Sequence, residues 1–135
     1  MESQIHINLV KVAYNYLSTL IPETNVRFIK MDSSGNCSGI HIIDNFVPDL
    51  YYAFDGFLVI GEAKTESDFE KRHSKDQFDA YIKQCNLHEG RALLIISVPW
   101  QLLITAKNYF RRKKMQNKID FEIVVLDEQG RCFKI

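Results

Sequence analysis

The segment "VPDLYYAFDGFLVIGEAKT", which spans residues 47–65, constrains the fold more than any other part of the chain. Asp-Gly is a preferred dipeptide of two-residue type I′ turns, because both central residues of that turn take a positive φ. Asp55 and Gly56 separate two apolar runs, so the sequence predicts a β-hairpin that reverses at these two residues. In a hairpin with this turn, Asp49 lies directly opposite Glu62.

The hairpin also predicts a cluster of three ionisable side chains. Directly opposed residues have Cβ atoms about 5 Å apart on one face, and Lys64, two residues past Glu62, lies on that face too. Two carboxylates this close cannot both stay ionised at low cost unless a cation offsets their charge. The alternative is a solvated cross-strand ion pair, but the apolar residues around the three argue against a solvated face.

This arrangement suits Mg²⁺ or Mn²⁺, because such ions keep several waters and accept only one or two protein carboxylates. We therefore expect Asp49 and Glu62 to hold a divalent cation that polarises a phosphoryl oxygen and lowers the pKa of a water molecule. We expect Lys64 to orient that water, to help deprotonate it or to offset charge in the transition state. Ala63 points to the opposite face, where its small side chain permits close helix packing.

Apolar periodicity and breaker residues predict the remaining elements. These are a helix over 5–20, a strand over 25–31, a loop over 32–39, a helix in at least the second half of 67–85, a buried strand over 91–98, a helix beginning near Pro99, and a strand, turn and strand over 120–135. The element order is αβββαβαβ, with room for one more strand. We expect an α/β (α+β) fold, a mixed β-sheet flanked by helices, in a single domain over residues 1–135.

Charge and cysteine content limit the function classes. The chain has 17 basic and 17 acidic residues, so nucleic acid cannot be held by bulk charge and any basic surface must be local. Its three cysteines lie far apart without metal-ligand spacing, which is typical of reduced thiols in the cytosol. We find no signal-peptide pattern and no apolar run of about eighteen residues, so we expect a soluble cytoplasmic protein without a membrane partner.

The hairpin residues resemble the motif of the PD-(D/E)XK nuclease superfamily, which has the restriction-endonuclease-like fold. Pro48 and Asp49 match the first half of the motif, and Glu62, Ala63 and Lys64 match the second. The family core, αβββαβ, has the element order predicted above, and the resemblance covers roughly residues 5–98. It implies a Mg²⁺- or Mn²⁺-dependent endonuclease that hydrolyses DNA phosphodiester bonds.

The resemblance also assigns supporting residues. The next helix of the family often carries a glutamine and a tyrosine four residues apart, as Gln77 and Tyr81 do here, and the glutamine positions the lysine or a substrate phosphate. Many relatives place a further acidic residue in the first helix, whereas the predicted first helix here has none. His6 or Asn8 is the substitute that the sequence offers, and a site with one metal ion is the expectation.

Basic residues in two segments are candidates for contact with the DNA backbone, which would give salt-dependent affinity without sequence choice. They are Lys71, Arg72 and Lys75 after the motif strand, and Arg111, Arg112, Lys113 and Lys114 in the helix that begins near Pro99. The alternative for both segments is a solvated helix end, where cations near the C-terminus also favour the helix dipole. We expect Trp100 to be a packing residue.

Other functions fit the same pattern. The chain could be a catalytically silent nuclease-fold subunit that binds nucleic acid or a protein partner in a larger complex. It could also be a nuclease of RNA or of branched junctions. Relatives that cut both strands usually dimerise, so a homodimer is a further expectation.

Overall fold

The first helix, α1, covers Gln4–Ser18 in a computed structural model that describes residues 3–32 and 42–135. The Ser3 side chain caps α1 by accepting a hydrogen bond from the backbone N–H of His6, one of the donors that a helix start leaves open. Leu9, Ala13 and Leu17 form the buried side of α1, as the apolar spacing predicts. Most of the predicted loop over 32–39 lies outside the described residues.

Among the described residues, six strands form one open sheet in chain order. Strands β1 to β6 cover Lys30–Met31, Leu50–Phe54, Phe57–Ala63, Arg91–Ser97, Glu122–Leu126 and Cys132–Lys134. The first three pair antiparallel, β3, β4 and β5 run parallel, and β6 returns antiparallel to β5. The predicted mixed sheet is therefore confirmed, and β6 is the additional strand.

Helices cover both faces of the sheet. A short helix α2 (Glu66–Phe69) and a long helix α3 (Arg72–Leu87) connect β3 to β4, and α4 (Leu103–Gln116) lies between β4 and β5. Apolar residues of α3 and α4 pack with Ile60 and Leu94 on one face, whereas α1 packs with Val59 and Leu93 on the other. Alternate residues of β3 and β4 thus enter different cores, which explains their continuous apolar runs.

The β2–β3 hairpin has the predicted turn and register. Asp55 and Gly56 have φ values of 54° and 81°, as a type I′ turn requires. Phe54 pairs with Phe57, and the pairing continues along both strands. Ala63 is buried beside Leu9 and Val10 of α1, so it faces the opposite core as predicted.

The predicted strand over 25–31 is wrong for most of its length. Residues Glu23–Phe28 form a 3₁₀ helix, and only Lys30–Met31 pair in the sheet. Val26 and Ile29 both pack against the core on the α1 side; their separation of three residues is the repeat of a 3₁₀ turn. The alternation of apolar residues therefore reflected one-sided packing of a turn.

The helix after Pro99 begins later than predicted. Residues Trp100–Leu102 form a 3₁₀ turn before α4 starts at Leu103. Trp100 itself is 50% exposed, so its predicted role as a packing residue is wrong. None of the helices within residues 3–32 and 42–135 combines the length and the apolar character that a membrane crossing needs.

Candidate active site

The predicted ionisable cluster lies where β3 ends. Glu62 is the penultimate residue of β3, and Lys64 follows that strand directly. Asp49 immediately precedes β2. Because Leu50 pairs with Gly61, the antiparallel register continued by one residue places Asp49 opposite Glu62.

Asp49 is held from two directions. Its Oδ2 atom accepts a 2.9 Å hydrogen bond from the backbone N–H of Ala63. The same oxygen lies 3.1 Å from Nε2 of His6, in the first turn of α1. His6 is therefore the first-helix residue that the structure brings to the cluster, whereas Asn8 is exposed and accepts a hydrogen bond from Gln4.

Helix α3 supplies partners for the other two groups. The Tyr81 hydroxyl donates a 3.0 Å hydrogen bond to Oε1 of Glu62, and Oε2 of Glu62 lies 3.5 Å from Nζ of Lys64. The Lys64 ammonium also donates to Oε1 of Gln77. Gln77 and Tyr81 lie one helical turn apart and so share a face of α3, which lets one helix orient both groups.

Burial makes the charges of this cluster expensive. Asp49, Glu62 and Lys64 are only 7%, 4% and 7% exposed. Two carboxylates and one ammonium leave a net negative charge when all three are ionised, and His6 adds a positive charge only when it is protonated. Desolvated charges need a compensating partner, so the cluster favours either a bound cation or a retained proton.

Within this cluster, the surroundings of Glu62 favour the protonated form of its carboxyl. Burial of the Glu62 side chain raises the pKa of its carboxyl well above the ordinary value, and the charge of Asp49 and a hydrogen bond with Asp49 raise it further. The Lys64 ammonium and the Tyr81 hydroxyl act in the opposite direction but do not reverse the shift. Burial and the Glu62 charge also raise the pKa of Tyr81, which keeps its hydroxyl protonated as a donor.

Asp32 is a further acidic residue beside the cluster, and its position there was not predicted from the sequence. The Asp32 N–H donates a 3.0 Å hydrogen bond to the carbonyl oxygen of Asp49. Burial raises the pKa of the Asp32 carboxyl, the charge of Asp49 raises it further, and His6 lowers it. The register of β1 on β2 brings Asp32 here, and no turn dipeptide fixes that register in the sequence.

The basic residues at the start of α3 are paired with nearby carboxylates; Lys71 and Arg72 are exposed, and Lys75 is half-buried. Lys71 lies 3.2 Å from Asp68, and Arg72 lies 3.3 Å from Asp76. Lys75 lies 3.6 Å from a carboxylate oxygen of Glu70 and near the Tyr109 ring. These residues follow β3 closely, so the structure places them at the same end of the sheet as the ionisable cluster.

The basic residues of α4 lie towards the other end of the sheet. A helix that connects two parallel strands runs back along them, so the last turn of α4 approaches the start of β5. Lys114 donates there to the Ile135 carbonyl, and Lys113 lies 2.8 Å from Asp79. Arg111 and Arg112 are exposed. The structure does not bring these four residues to Asp49 and Glu62.

The fit of a metal ion depends on the two carboxylates. In the part of the chain that the structure describes, no group of three or more His, Cys, Asp or Glu side chains is placed to hold a metal ion. A hydrated Mg²⁺ or Mn²⁺ needs only one or two protein carboxylates. The contacts of Asp49 with His6 and with the Ala63 N–H both use Oδ2, so neither of them occupies Oδ1. The donor set therefore fits a largely hydrated ion, and the cofactor stays a prediction.

Comparison of the chain with models of protein families, with curated proteins and with solved structures gives no match.

Proposed function

We propose that the chain is a metal-dependent nuclease of the PD-(D/E)XK type that hydrolyses DNA phosphodiester bonds. The observation that carries the proposal is the burial of Asp49, Glu62 and Lys64 together at the end of one hairpin. Perturbed carboxyl groups that share a site with a lysine are typical of catalytic clusters. A structural ion pair alone would not need a second carboxylate beside the first.

The arrangement of elements also supports a restriction-endonuclease-like core. Helix α1 precedes three antiparallel strands, α3 crosses the opposite face, and β4 then joins parallel to β3. This is the αβββαβ order that the motif resemblance implies. Asp49 lies directly before the second strand, Glu62 and Ala63 end the third strand, Lys64 follows it, and the glutamine and tyrosine lie on α3.

The proposed roles follow from the contacts. Asp49 and Glu62 would hold Mg²⁺ or Mn²⁺, which supplies Lewis-acid activation of a phosphoryl oxygen and of water. Lys64, held by Gln77, would place its ammonium beside the phosphate oxygens and offset the charge that develops there. His6 and Tyr81 would fix the orientation of the two carboxylates through their hydrogen bonds.

A cleavage assay tests this proposal. Purified protein is incubated with supercoiled and linear DNA in Mg²⁺, in Mn²⁺ and in chelator, and Asp49→Asn, Glu62→Gln and Lys64→Met variants are compared after a check of folding by circular dichroism. Glu89→Gln, an exposed carboxylate near the start of β4, is the matched control. We expect cutting only with metal, a loss of about 100-fold or more in the three variants, and no loss in the control. Cutting that survives all three substitutions would refute the assignment.

The second candidate is the catalytically silent nuclease-fold subunit. The observation that favours it is that the Lys64 ammonium, 3.5 Å from Glu62, together with a proton on the Glu62 carboxyl, whose pKa is raised, can balance the cluster without a metal ion. No cutting of DNA or RNA with any divalent ion, together with tight capture of a nucleic acid or protein partner, would select this candidate.

A further inference from the structure

A cleft lies close to the ionisable cluster. A cleft of about 750 Å³ opens between the start of α1, the residues that follow β3, and the turns after β4 and β5. Asp49, Glu62 and Lys64 are not among the residues that line it. Its walls nevertheless begin one residue from the cluster, because Ile5 precedes His6 and Thr65 follows Lys64.

An exposed indole forms part of the cleft wall. Trp100 is 50% exposed and Ile5, which also lines the cleft, is 58% exposed. The backbone N–H of Trp100 donates to both carboxylate oxygens of Glu128, at 3.0 and 3.2 Å, which anchors the backbone that carries the indole. A large aromatic surface left in water is available for stacking against a flat partner.

The polar groups of the cleft suit a base better than a phosphate. Ser67, Gln101 and Gln129 offer uncharged donors and acceptors. Glu66 and Glu128 also line the cleft; carboxylates repel phosphate but accept hydrogen bonds from the exocyclic amino groups of bases. The ligand that this wall favours is therefore planar, uncharged and rich in hydrogen-bonding edges.

We infer that the cleft binds an unpaired nucleobase of the substrate strand, stacked on Trp100, next to the phosphate that is cut. This inference rests on the proposed nuclease function, because that function supplies the strand. Stacking on an aromatic side chain needs a base outside the duplex stack. The substrate class is therefore a single strand, a flap, a loop or a flipped nucleotide, and a continuous duplex is the poorer ligand.

The chain offers a direct reporter of this stacking, because Trp100 is its only tryptophan. Indole fluorescence of the Glu62→Gln variant is measured in chelator against four probes: a short single-stranded DNA, the RNA of the same sequence, an abasic DNA of the same length and a fully paired duplex. We expect saturable quenching by the single-stranded DNA and much weaker quenching by the abasic DNA and the duplex. Equal quenching by the RNA assigns the site to a base in either strand type.

Variants separate stacking from general binding. Binding of a dye-labelled single-stranded DNA is measured by polarisation for Trp100→Phe, Trp100→Ala and Met115→Ala. Met115 is 77% exposed near the end of α4 and is not among the residues that line the cleft, so its variant is the matched control. We expect Trp100→Ala to weaken binding by about 5-fold or more, with Trp100→Phe retaining most of the affinity and Met115→Ala all of it.

The outcomes distinguish this inference from the proposed function. Base-dependent quenching without metal-dependent cutting supports base binding in the cleft and refutes the proposed nuclease function. If cutting is lost in the Asp49 and Lys64 variants but the abasic DNA quenches as strongly as the single-stranded DNA, base binding in the cleft is refuted and the nuclease function stands. Quenching by an apolar, basic peptide but by none of the oligonucleotides overturns the inference in favour of a protein partner.

Discussion

Folding buries the Glu62 side chain at a cost to its charged form. This side chain is 4% exposed and lies among a second carboxylate, an ammonium and a phenol. Burial and Asp49 raise its pKa, so the folded protein retains a proton that the unfolded chain releases at lower pH. A functional group that opposes stability is expected at a site whose charge awaits a ligand.

Replacing Glu62 by Gln is expected to stabilise the metal-free protein. The pKa of Glu62 is raised in the folded protein. The Glu62 carboxyl therefore does not lower the stability of the wild type below the unfolded pKa. As the pH rises from the unfolded pKa through the folded pKa, the free energy of unfolding falls. Glutamine retains the oxygen that accepts from Tyr81 without the charge, so we expect the variant to be more stable than the wild type at neutral pH and the difference to shrink as the pH falls. Denaturant melts in chelator across pH measure the difference between variant and wild type. A variant that is less stable at neutral pH, or a difference independent of pH, would contradict this account.

Tyr81→Phe tests the positioning of Glu62. The hydroxyl lowers the pKa of Glu62 by donating to it, so its removal raises that pKa further. We expect a 10- to 100-fold lower cleavage rate, roughly the effect of removing an outer-shell partner, and an acid limb of the pH–rate profile displaced to higher pH. Tyr109→Phe, a change to a tyrosine on α4 with no contact to Glu62, is the control. An unmoved pH profile in Tyr81→Phe would leave this hydroxyl without the proposed role.

At the scale of elements, the β2–β3 hairpin determines where the carboxylates lie, and two glycines within it act for different reasons. Gly56 has a φ of 81° with open space around it, whereas Gly61 faces Leu50 across the strand pair. A Cβ atom at Gly61 would lie 2.9 Å from the Cβ atom of Leu50. Gly56 is favoured because the turn needs a positive φ, whereas Gly61 is favoured because Leu50 leaves no room for a side chain.

We expect Gly61→Ala to destabilise the protein by about 1–3 kcal/mol, the usual cost of overpacking a core. Because the strands must shift at the pair next to Asp49 and Glu62, the substitution should also lower activity in the protein that remains folded. Gly56→Asn, which places a residue tolerant of positive φ in the turn, should cost little. Thermal melts of both variants measure this contrast, and equal losses of stability would show that the register is not held by the approach of Leu50.

At the scale of the whole molecule, the topology places the ionisable cluster and the last turns of α4 towards opposite ends of the sheet. The start of α3 shares the end of the cluster, whereas Lys114 reaches the carbonyl of Ile135 near the start of β5. The proposed DNA path therefore favours contacts from α3. The role predicted for the basic residues of α4 stays a prediction.

A pair of double variants tests which end faces DNA. We expect Lys71→Ala with Arg72→Ala to weaken DNA binding and to reduce the slope of log affinity against log salt by about one per lost phosphate contact. Arg111→Ala with Arg112→Ala should leave that slope nearly unchanged. Binding isotherms over a range of salt concentrations give both slopes, and a larger effect from the α4 pair would place the DNA at the other end of the sheet.

The sequence predicted the part of the site that one local signal controls. Asp55 and Gly56 fix the turn, and the turn fixes the pairing that brings Asp49 to Glu62. Asp32 escaped prediction because its place depends on a separate strand pairing. The prediction of a strand over 25–31 was wrong because alternating apolar residues do not distinguish a strand from a turn that packs on one side.

The exposure of Trp100 was also beyond the sequence. The sequence around a tryptophan that follows a proline does not show whether its side chain is buried in the core or lines a cleft. The Glu128 carboxylate that accepts from the backbone N–H of Trp100 comes from a turn distant in sequence. Local chemistry was therefore predictable, whereas placement by tertiary packing was not.

Calorimetry of Mn²⁺ binding tests the central claim, that the two carboxylates form a cation site, most directly. We expect one saturable Mn²⁺-binding event in the wild type and its loss in Asp49→Asn and in Glu62→Gln. Binding should be retained in Lys64→Met, because that variant lacks the ammonium that competes with the ion. We also expect Mn²⁺ binding to weaken as the pH falls, because a proton competes with the ion for the Glu62 carboxyl, whose pKa is raised. No binding by the folded wild type, or binding unchanged in both carboxylate variants, would contradict this claim.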